Sequence, residues 1–231
     1  MRIQKYLSER GICSRREAED FIRRRLVSVN GKIVTEMGVQ IDPARDKVVL
    51  SGRAVSDIGE KRSVIINKPR GVVSSRIPSE GKTIYDLFPE YLDLDIVGRL
   101  DKESEGLLLL SEDGVIAKAV TGDKHITEKE YEVTVREKIN RGRMDREFSG
   151  GMLLEDGQTL PAKVSFLSNH IVRVIIREGR KHQIRRMCDK LNLTIVKLKR
   201  LRIGPVKLGN LKSGESRLLS PDEIEALKKA R

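Results

Sequence analysis

Asp101 stands in a setting that could carry chemistry. It lies in the run Val97-Gly98-Arg99-Leu100-Asp101-Lys102-Glu103-Ser104-Glu105-Gly106, which leads into Leu107-Leu108-Leu109-Leu110 and then Ser111-Glu112-Asp113-Gly114. Four consecutive leucines read as a strand buried on both faces, so the turn before them is pinned against the core. Gly98 and Gly106 permit close backbone approach on either side of that turn. A carboxylate held rigidly in this way can serve as a nucleophile or a general base. An aspartate before a strand can equally cap its own turn, and on these residues alone both readings stand.

Several other chemistries fail on pattern. Glu80-Gly81-Lys82-Thr83 has the ending of a phosphate-binding loop, but Arg76 occupies the position where that loop needs its first glycine. Neither a G-x-G-x-x-G fingerprint nor a G-x-S-x-G elbow occurs, which argues against a dinucleotide cofactor and a serine hydrolase. His125, His170 and His182 are scattered, and Cys13 and Cys188 form no C-x-x-C pair. The histidine and cysteine spacing therefore predicts no metal site, and the thiols read as reduced, packed side chains.

The elements that must position Asp101 fall into two groups. Ser14-Arg15-Arg16-Glu17 has the form of a capping box, so a helix is expected from Arg15 with Ala18, Phe21, Ile22 and Leu26 inward. A shorter helix is expected over 3–9, and short strands over 27–29, 32–34 and 48–50, with Asn30-Gly31 as a hairpin turn. The stretch 51–61 has few large apolar residues and reads as a linker. Beyond it, strands are predicted over 64–66, 71–74, 107–111, 130–135, 162–167, 172–176 and 193–198. Helices are predicted over 83–88, 115–120, 141–148, 182–191 and 222–230. This order lacks the regular alternation of a wound parallel sheet and predicts an α+β fold with a mainly antiparallel sheet. The expected division is a small unit at 1–58 and a larger one at 62–231.

The charge distribution points to a polyanion. The chain of 231 residues carries a formal net charge of +12. Residues 1–58 hold 12 basic and 8 acidic residues, and residues 177–217 hold 13 basic and 3 acidic, so the excess sits in two blocks. No apolar run approaches the roughly 18 residues of a membrane span, and no apolar segment or cleavage site follows Met1-Arg2-Ile3-Gln4-Lys5. A cytoplasmic, monomeric chain with a nucleic-acid partner and no membrane contact is expected. With aromatics at 3%, a structured RNA gripped through phosphates fits better than a stacking channel for single strands.

Longer motifs resemble a known family. Cys13-Ser14-Arg15-Arg16 with Val27-Ser28-Val29-Asn30-Gly31 resembles the S4 RNA-binding domain, which implies RNA contacts from Lys5, Arg15 and Arg16. Residues 98–114 resemble the catalytic signature of RNA pseudouridine synthases of the RsuA/RluB/RluE/RluF group, and most of all the RluF branch. Asn67-Lys68-Pro69-Arg70-Gly71 is similar to the family's first motif, Lys129-Glu130-Tyr131-Glu132-Val133 to its tyrosine strand, and residues 178–187 to its third motif. The resemblance implies isomerisation of a uridine in ribosomal RNA, with the large-subunit 23S rRNA preferred because 129–189 looks most like that branch. It needs no cofactor and no metal.

The same resemblance assigns roles. Asp101 would act at ribose C1′ of a flipped uridine, Tyr131 would stack on the uracil and help remove the C5 proton, and Arg185 would pair with Asp101. Arg99 would help fill the vacancy left by the base. Lys68, Arg180, Lys181 and Arg186 would contact RNA. The chain departs from the usual signature at Ser104, Glu112 and Lys181-His182, which bears on RNA contacts. Two alternatives remain at this level. One is an S4-containing ribosome-assembly factor that only binds rRNA; the other is a base-removing glycosidase, which would need a second carboxylate such as Glu103 or Glu105.

Overall fold

The computed structural model describes residues 1–59, 61–122 and 127–229. His125 and Ala230, included in the readings above, lie outside the described residues.

The first unit has its own core. Helices α1 (Ile3–Glu9) and α2 (Arg15–Arg23) pack against a three-stranded sheet of β1 (Val27–Val29), β2 (Lys32–Ile33) and β3 (Val48–Leu50), ordered β2-β1-β3. The capping box is reciprocal: the Glu17 N–H donates to Ser14 Oγ at 3.2 Å and the Ser14 N–H to the Glu17 carboxylate at 2.8 Å. Ala18, Phe21 and Ile22 meet Ile3, Leu7 and Val27 in the interior, while Arg15 and Arg16 are exposed. The linker expectation fails here. Residues Gly52–Ile58 form a helix, α3, with the Ser51 hydroxyl accepting from the Ala54 N–H at 3.2 Å. Ala54 is fully buried in the first unit's core, so one small side chain and a serine cap suffice for a short helix that a count of large apolar residues misses.

The larger unit is built on β4 (Ser63–Lys68), β5 (Asp95–Val97), β6 (Glu105–Ser111), β7 (Lys129–Val135), β8 (Leu153–Leu154), β9 (Gly157–Gln158), β10 (Lys163–Phe166), β11 (Ile171–Ile176), β12 (Ile195–Ile203), β13 (Val206–Lys207) and β14 (Ser216–Leu218). Its main sheet runs β10-β11-β7-β12-β6-β4-β14, with β13 on β12 and β5 on β6; β8 and β9 form a separate hairpin. Among the described residues every strand pair is antiparallel except β12 with β6, which run parallel. The α+β reading with a mainly antiparallel sheet holds.

Leu107 to Leu110 are at most 1% exposed, and the strand's period of two sends them to opposite faces. Leu108 and Leu110 join a core with Tyr131, Val133, Ile184 and Met187, the last two from α7 (Gln183–Lys190). Leu107 and Leu109 join a second core with Ile116 and Val120 of α5 (Gly114–Thr121) and Leu227 of α8 (Pro221–Lys229). Helix α6 (Arg141–Gly150) adds Met144 and Phe148 to the first core.

Three local expectations shift. Residues 71–74 form no strand; Val73 makes one isolated bridge to Thr83, because this segment folds over the loop before β6. Thr83 is the buried N-cap of α4 (Ile84–Leu87), which gives Glu80-Gly81-Lys82-Thr83 a structural role. The strand expected over 193–198 begins at Ile195 and continues to Ile203. Both cysteines are buried, and burial pushes the Cys13 thiol up to about 11 and the Cys188 thiol up to about 12, so neither is a ready nucleophile. Among the described residues no helix is long and apolar enough to cross a membrane.

The two units touch through α5. A Cβ on Gly114 would lie 2.5 Å from Ser14 Cβ, the Lys118 ammonium donates to Ser8 Oγ at 3.2 Å, and Lys61 pairs with Glu17.

The parallel pairing of β6 with β12 demands a glycine. Gly106 has φ +100°, and a Cβ there would fall 2.3 Å from the Arg200 carbonyl oxygen. Gly106→Ala is therefore expected to cost about 3 kcal/mol or more in urea unfolding, since strain and backbone overlap combine. A loss under 1 kcal/mol would show that the two strands can separate freely.

Candidate active site

The loop from Gly98 to Ser104 joins β5 to β6 and is fixed from several directions. Ser74 Oγ accepts from the Leu100 N–H at 3.2 Å and donates to the Leu100 carbonyl at 2.8 Å. The Ser104 N–H donates to the Asp101 carbonyl at 3.0 Å, and the Gly71 N–H to the Lys102 carbonyl at 2.8 Å. The Arg200 guanidinium, 1% exposed, donates from Nη2 to the Gly98 carbonyl at 2.7 Å and from Nη1 to that of Arg99 at 3.5 Å. Its Nε donates to the Leu107 carbonyl at 2.7 Å. One side chain thus ties the loop's entrance to the strand at its exit.

Lys68 works from beneath. It is 0% exposed, and its ammonium donates to the carbonyls of Val72 at 2.6 Å, Pro69 at 3.0 Å and Lys102 at 3.5 Å. Burial lowers its pKa to about 8. The expected RNA contact from Lys68 is corrected: the chain folds over it, and its charge is spent on the loop that bears Asp101.

The Asp101 side chain reaches a cleft of about 1240 Å³ and is about one-third exposed. Its Oδ2 lies 3.8 Å from Arg185 Nε and its Oδ1 3.4 Å from His182 Nε2. Arg185 is aimed by Nη2, which donates to Ser104 Oγ and the Glu103 carbonyl, each at 3.1 Å. The expected pairing of Asp101 with Arg185 is therefore formed. His182 precedes α7 in the left-handed region, with φ +52°, and was not among the expected site residues. Its signal lay in its place, at the head of the helix expected over 182–191 and three residues before Arg185.

Tyr131 is 8% exposed, lies opposite Arg200 across the strand pair, and lines the same cleft. Arg99 and Lys181 are exposed on the cleft wall. Arg180 also lines it, but its Nε bonds Glu178 at 3.0 Å and its Nη1 reaches the carbonyls of Asp156 and Gly157 at 3.2 and 3.0 Å. Arg186 lies outside the cleft and forks both oxygens of Asp156 at 2.8 and 3.0 Å. This fork fastens the β8–β9 hairpin to α7.

Other carboxylates near Asp101 are occupied. Glu178 accepts from the Gln183 amide at 2.7 Å and the Leu160 N–H at 2.9 Å. Glu103 is held by Arg70 at 2.8 Å, which lowers its pKa, and Glu105 by Lys197 at 3.2 Å. Neither lines the cleft, so the two carboxylates that a glycosidase reading offered as partners to Asp101 are not beside it. Among the described residues no cluster of three His, Cys, Asp or Glu side chains could hold a metal ion.

A carboxylate set between Arg185 and His182, an aromatic ring and a ring of cations around one cleft suit chemistry on an extruded base. Comparison with known proteins agrees: the family model for RNA pseudouridylate synthase matches residues 62–190, and that for the S4 domain matches residues 1–45. The chain belongs to the RNA pseudouridine synthase family. It is similar to the ribosomal large subunit pseudouridine synthase B of Bacillus subtilis, 35% identical over 98% of this chain and 95% of that one. It is 36% identical to the ribosomal small subunit pseudouridine synthase A of Haemophilus influenzae, over 99% of this chain and all of that one. The dual-specificity RNA pseudouridine synthase RluF of Escherichia coli is also 36% identical, over 97% of this chain and 77% of that one. A crystal structure of a pseudouridylate synthase matches with a TM-score of 0.71 at 34% identity, covering 98% of this chain and 99% of that one. As a member of the family the chain isomerises uridine in RNA.

The structure makes Lys68 a support for the loop. Lys68→Met is expected to slow single-turnover pseudouridine formation at least about tenfold while leaving RNA affinity within a few-fold, because the lost bonds position Asp101 and do not face RNA. A loss confined to affinity would return Lys68 to the RNA-contacting set.

Proposed function

We propose that the chain converts a uridine of large-subunit ribosomal RNA to pseudouridine, with Asp101 acting at ribose C1′. The observation that carries this reading is the meeting of Asp101, Tyr131 and Arg185 on one cleft in which the other lining carboxylate is already bonded. Arg185 orients the Asp101 carboxylate toward C1′. The C1′–N1 bond breaks, the detached uracil turns against the Tyr131 ring, and a C1′–C5 bond replaces the first. Tyr131 assists departure of the C5 proton. Arg99 enters the space the base vacates, and Lys181 holds a phosphate at the cleft wall, with Arg180 beside it once its hairpin is set.

Residues 1–58 form the RNA-gripping unit, with Lys5, Arg15 and Arg16 on its exposed face and α5 fixing its position relative to the cleft. The relatives named above act on both ribosomal subunits at nearly equal identity, so ribosomal RNA is the better supported part of this reading, and the large subunit comes from the likeness of residues 129–189. The protein is read as a cytoplasmic monomer that needs no cofactor. A purely RNA-binding role has less support, since binding alone has no use for a carboxylate fixed between Arg185 and His182.

Carbodiimide mapping of pseudouridine in 23S and 16S rRNA, from cells with and without this chain, should reveal a missing site in 23S rRNA. A site lost only from 16S rRNA would move the substrate to the small subunit. Asp101→Asn should lower single-turnover formation by about four orders of magnitude or more with RNA affinity kept within a few-fold, because the loss falls on the transition state. Measurable turnover by a variant shown free of deamidation would remove Asp101 from the chemistry.

A further inference from the structure

Two buried cations share the inner wall of the cleft. Lys129 is 6% exposed and Arg200 is 1% exposed, on the adjacent strands β7 and β12. Lys129 lies two residues before Tyr131 and so on the same face of β7, and Arg200 is registered opposite Tyr131. All three line the cleft with Asp101. The acidic neighbours in sequence, Glu128 and Glu130, pair with Arg202 and leave Lys129 without a carboxylate partner among the described residues.

Arg200 spends its donors on the carbonyls of Gly98, Arg99 and Leu107. Lys129 does not. Among the described residues its ammonium, which has three donors, meets one acceptor, the Thr127 carbonyl at 3.3 Å. Burial, and after it the nearby Arg200 charge, lower its pKa to about 8. A buried ammonium with unspent donors on a cleft wall calls for an acceptor that arrives with the substrate. The exposed cations Arg99 and Lys181 suit phosphates, whereas the enclosed position beside Tyr131 suits the base. Uracil offers O2 and O4 as acceptors. When its bond to C1′ breaks, the electron pair leaves with the base, and the negative charge spreads over N1, O2 and O4.

Building on the pseudouridine-forming reading of this cleft, we infer that Lys129 is a further catalytic residue, donating to a carbonyl oxygen of the flipped uracil and stabilising the anion released at C1′. Arg200 is the positioning residue beside it. The step balances without a co-reactant: the C1′–N1 pair goes to the base, the base returns a pair to C1′ from C5, the C5 proton departs, and N1 takes up a proton.

The test is single-turnover kinetics of the full chain on a protein-free 23S rRNA transcript carrying uridine or 5-fluorouridine, followed for both as breakage of the C1′–N1 bond, because fluorine at C5 leaves no proton to depart. Lys129→Met should lower the rate on uridine by roughly 10²-fold, the usual cost of one lost transition-state donor, with RNA affinity within a few-fold. Fluorine makes the base a better leaving anion, so the deficit on 5-fluorouridine should shrink several-fold; a merely structural role would slow both substrates equally.

The pH profile supplies an independent reading. Lys129 loses its proton as pH rises through about 8, so the wild-type rate should fall there, and Lys129→Arg, whose guanidinium stays charged, should lack that limb. The other charged or titratable groups around the cleft are Arg200 on β12, Tyr131 on β7, Asp101, Arg99 and Lys102 on the loop, His182 and Arg185 at α7, and the segment from Arg177 to Lys181. A limb due to any of these would persist in Lys129→Arg. Equal deficits on both substrates, or an unchanged limb in Lys129→Arg, would overturn the inference, and the limb decides the matter if Lys129→Met fails to fold. Wild-type protein that forms no pseudouridine in any rRNA would instead overturn the reading on which this inference rests.

Discussion

A buried arginine without a counter-ion sets the geometry of this molecule. Stripping water from a guanidinium costs several kcal/mol, and no carboxylate compensates Arg200 among the described residues; three backbone carbonyls do. Those carbonyls belong to the two ends of one loop, so the bonds that satisfy Arg200 also close the loop that carries Asp101. The parallel pairing of β12 with β6 brings Arg200 to that point, and Gly106 permits the approach. The fold and the site thus share a single contact.

Around it the charges are sorted by depth. Lys68, Lys129 and Arg200 lie inside, where each is worth more electrostatically and costs more to bury, while Arg99 and Lys181 lie at the exposed wall. Asp101 faces both sets and has Arg185 and His182 within 4 Å. The acidic residues that could compete for its role are held by Arg70, Lys197 and the α7 amide of Gln183. A cleft walled by so many cations attracts RNA.

Much of this was legible in the residues. Leu107 to Leu110 announce a central strand because a four-residue apolar run must be buried on both faces, and Ser14 with Glu17 announces α2 because a reciprocal cap needs that spacing. Asp101 and Arg185 met as their motifs implied. The buried cations were harder to see. Lysine and arginine favour water, so Lys68 reads as an RNA ligand until the chain is seen folded over it. Arg200 follows Leu198 at the strand period and is therefore directed inward, but its charge argues the opposite when the tertiary carbonyls are unknown. Helix α3 was hidden for a related reason: Ala54 buries little area, and its fit to the first core is a matter of shape.

The central claim is that a buried fork, tying both ends of the loop together, places Asp101 for reaction. Arg200→Lys tests it directly, because lysine keeps the charge but has no planar fork to span carbonyls in three directions. Single-turnover pseudouridine formation on 23S rRNA should fall roughly 10²-fold in a variant that still unfolds cooperatively and binds RNA within a few-fold of wild type. A folded Arg200→Lys protein with the wild-type rate would contradict the account.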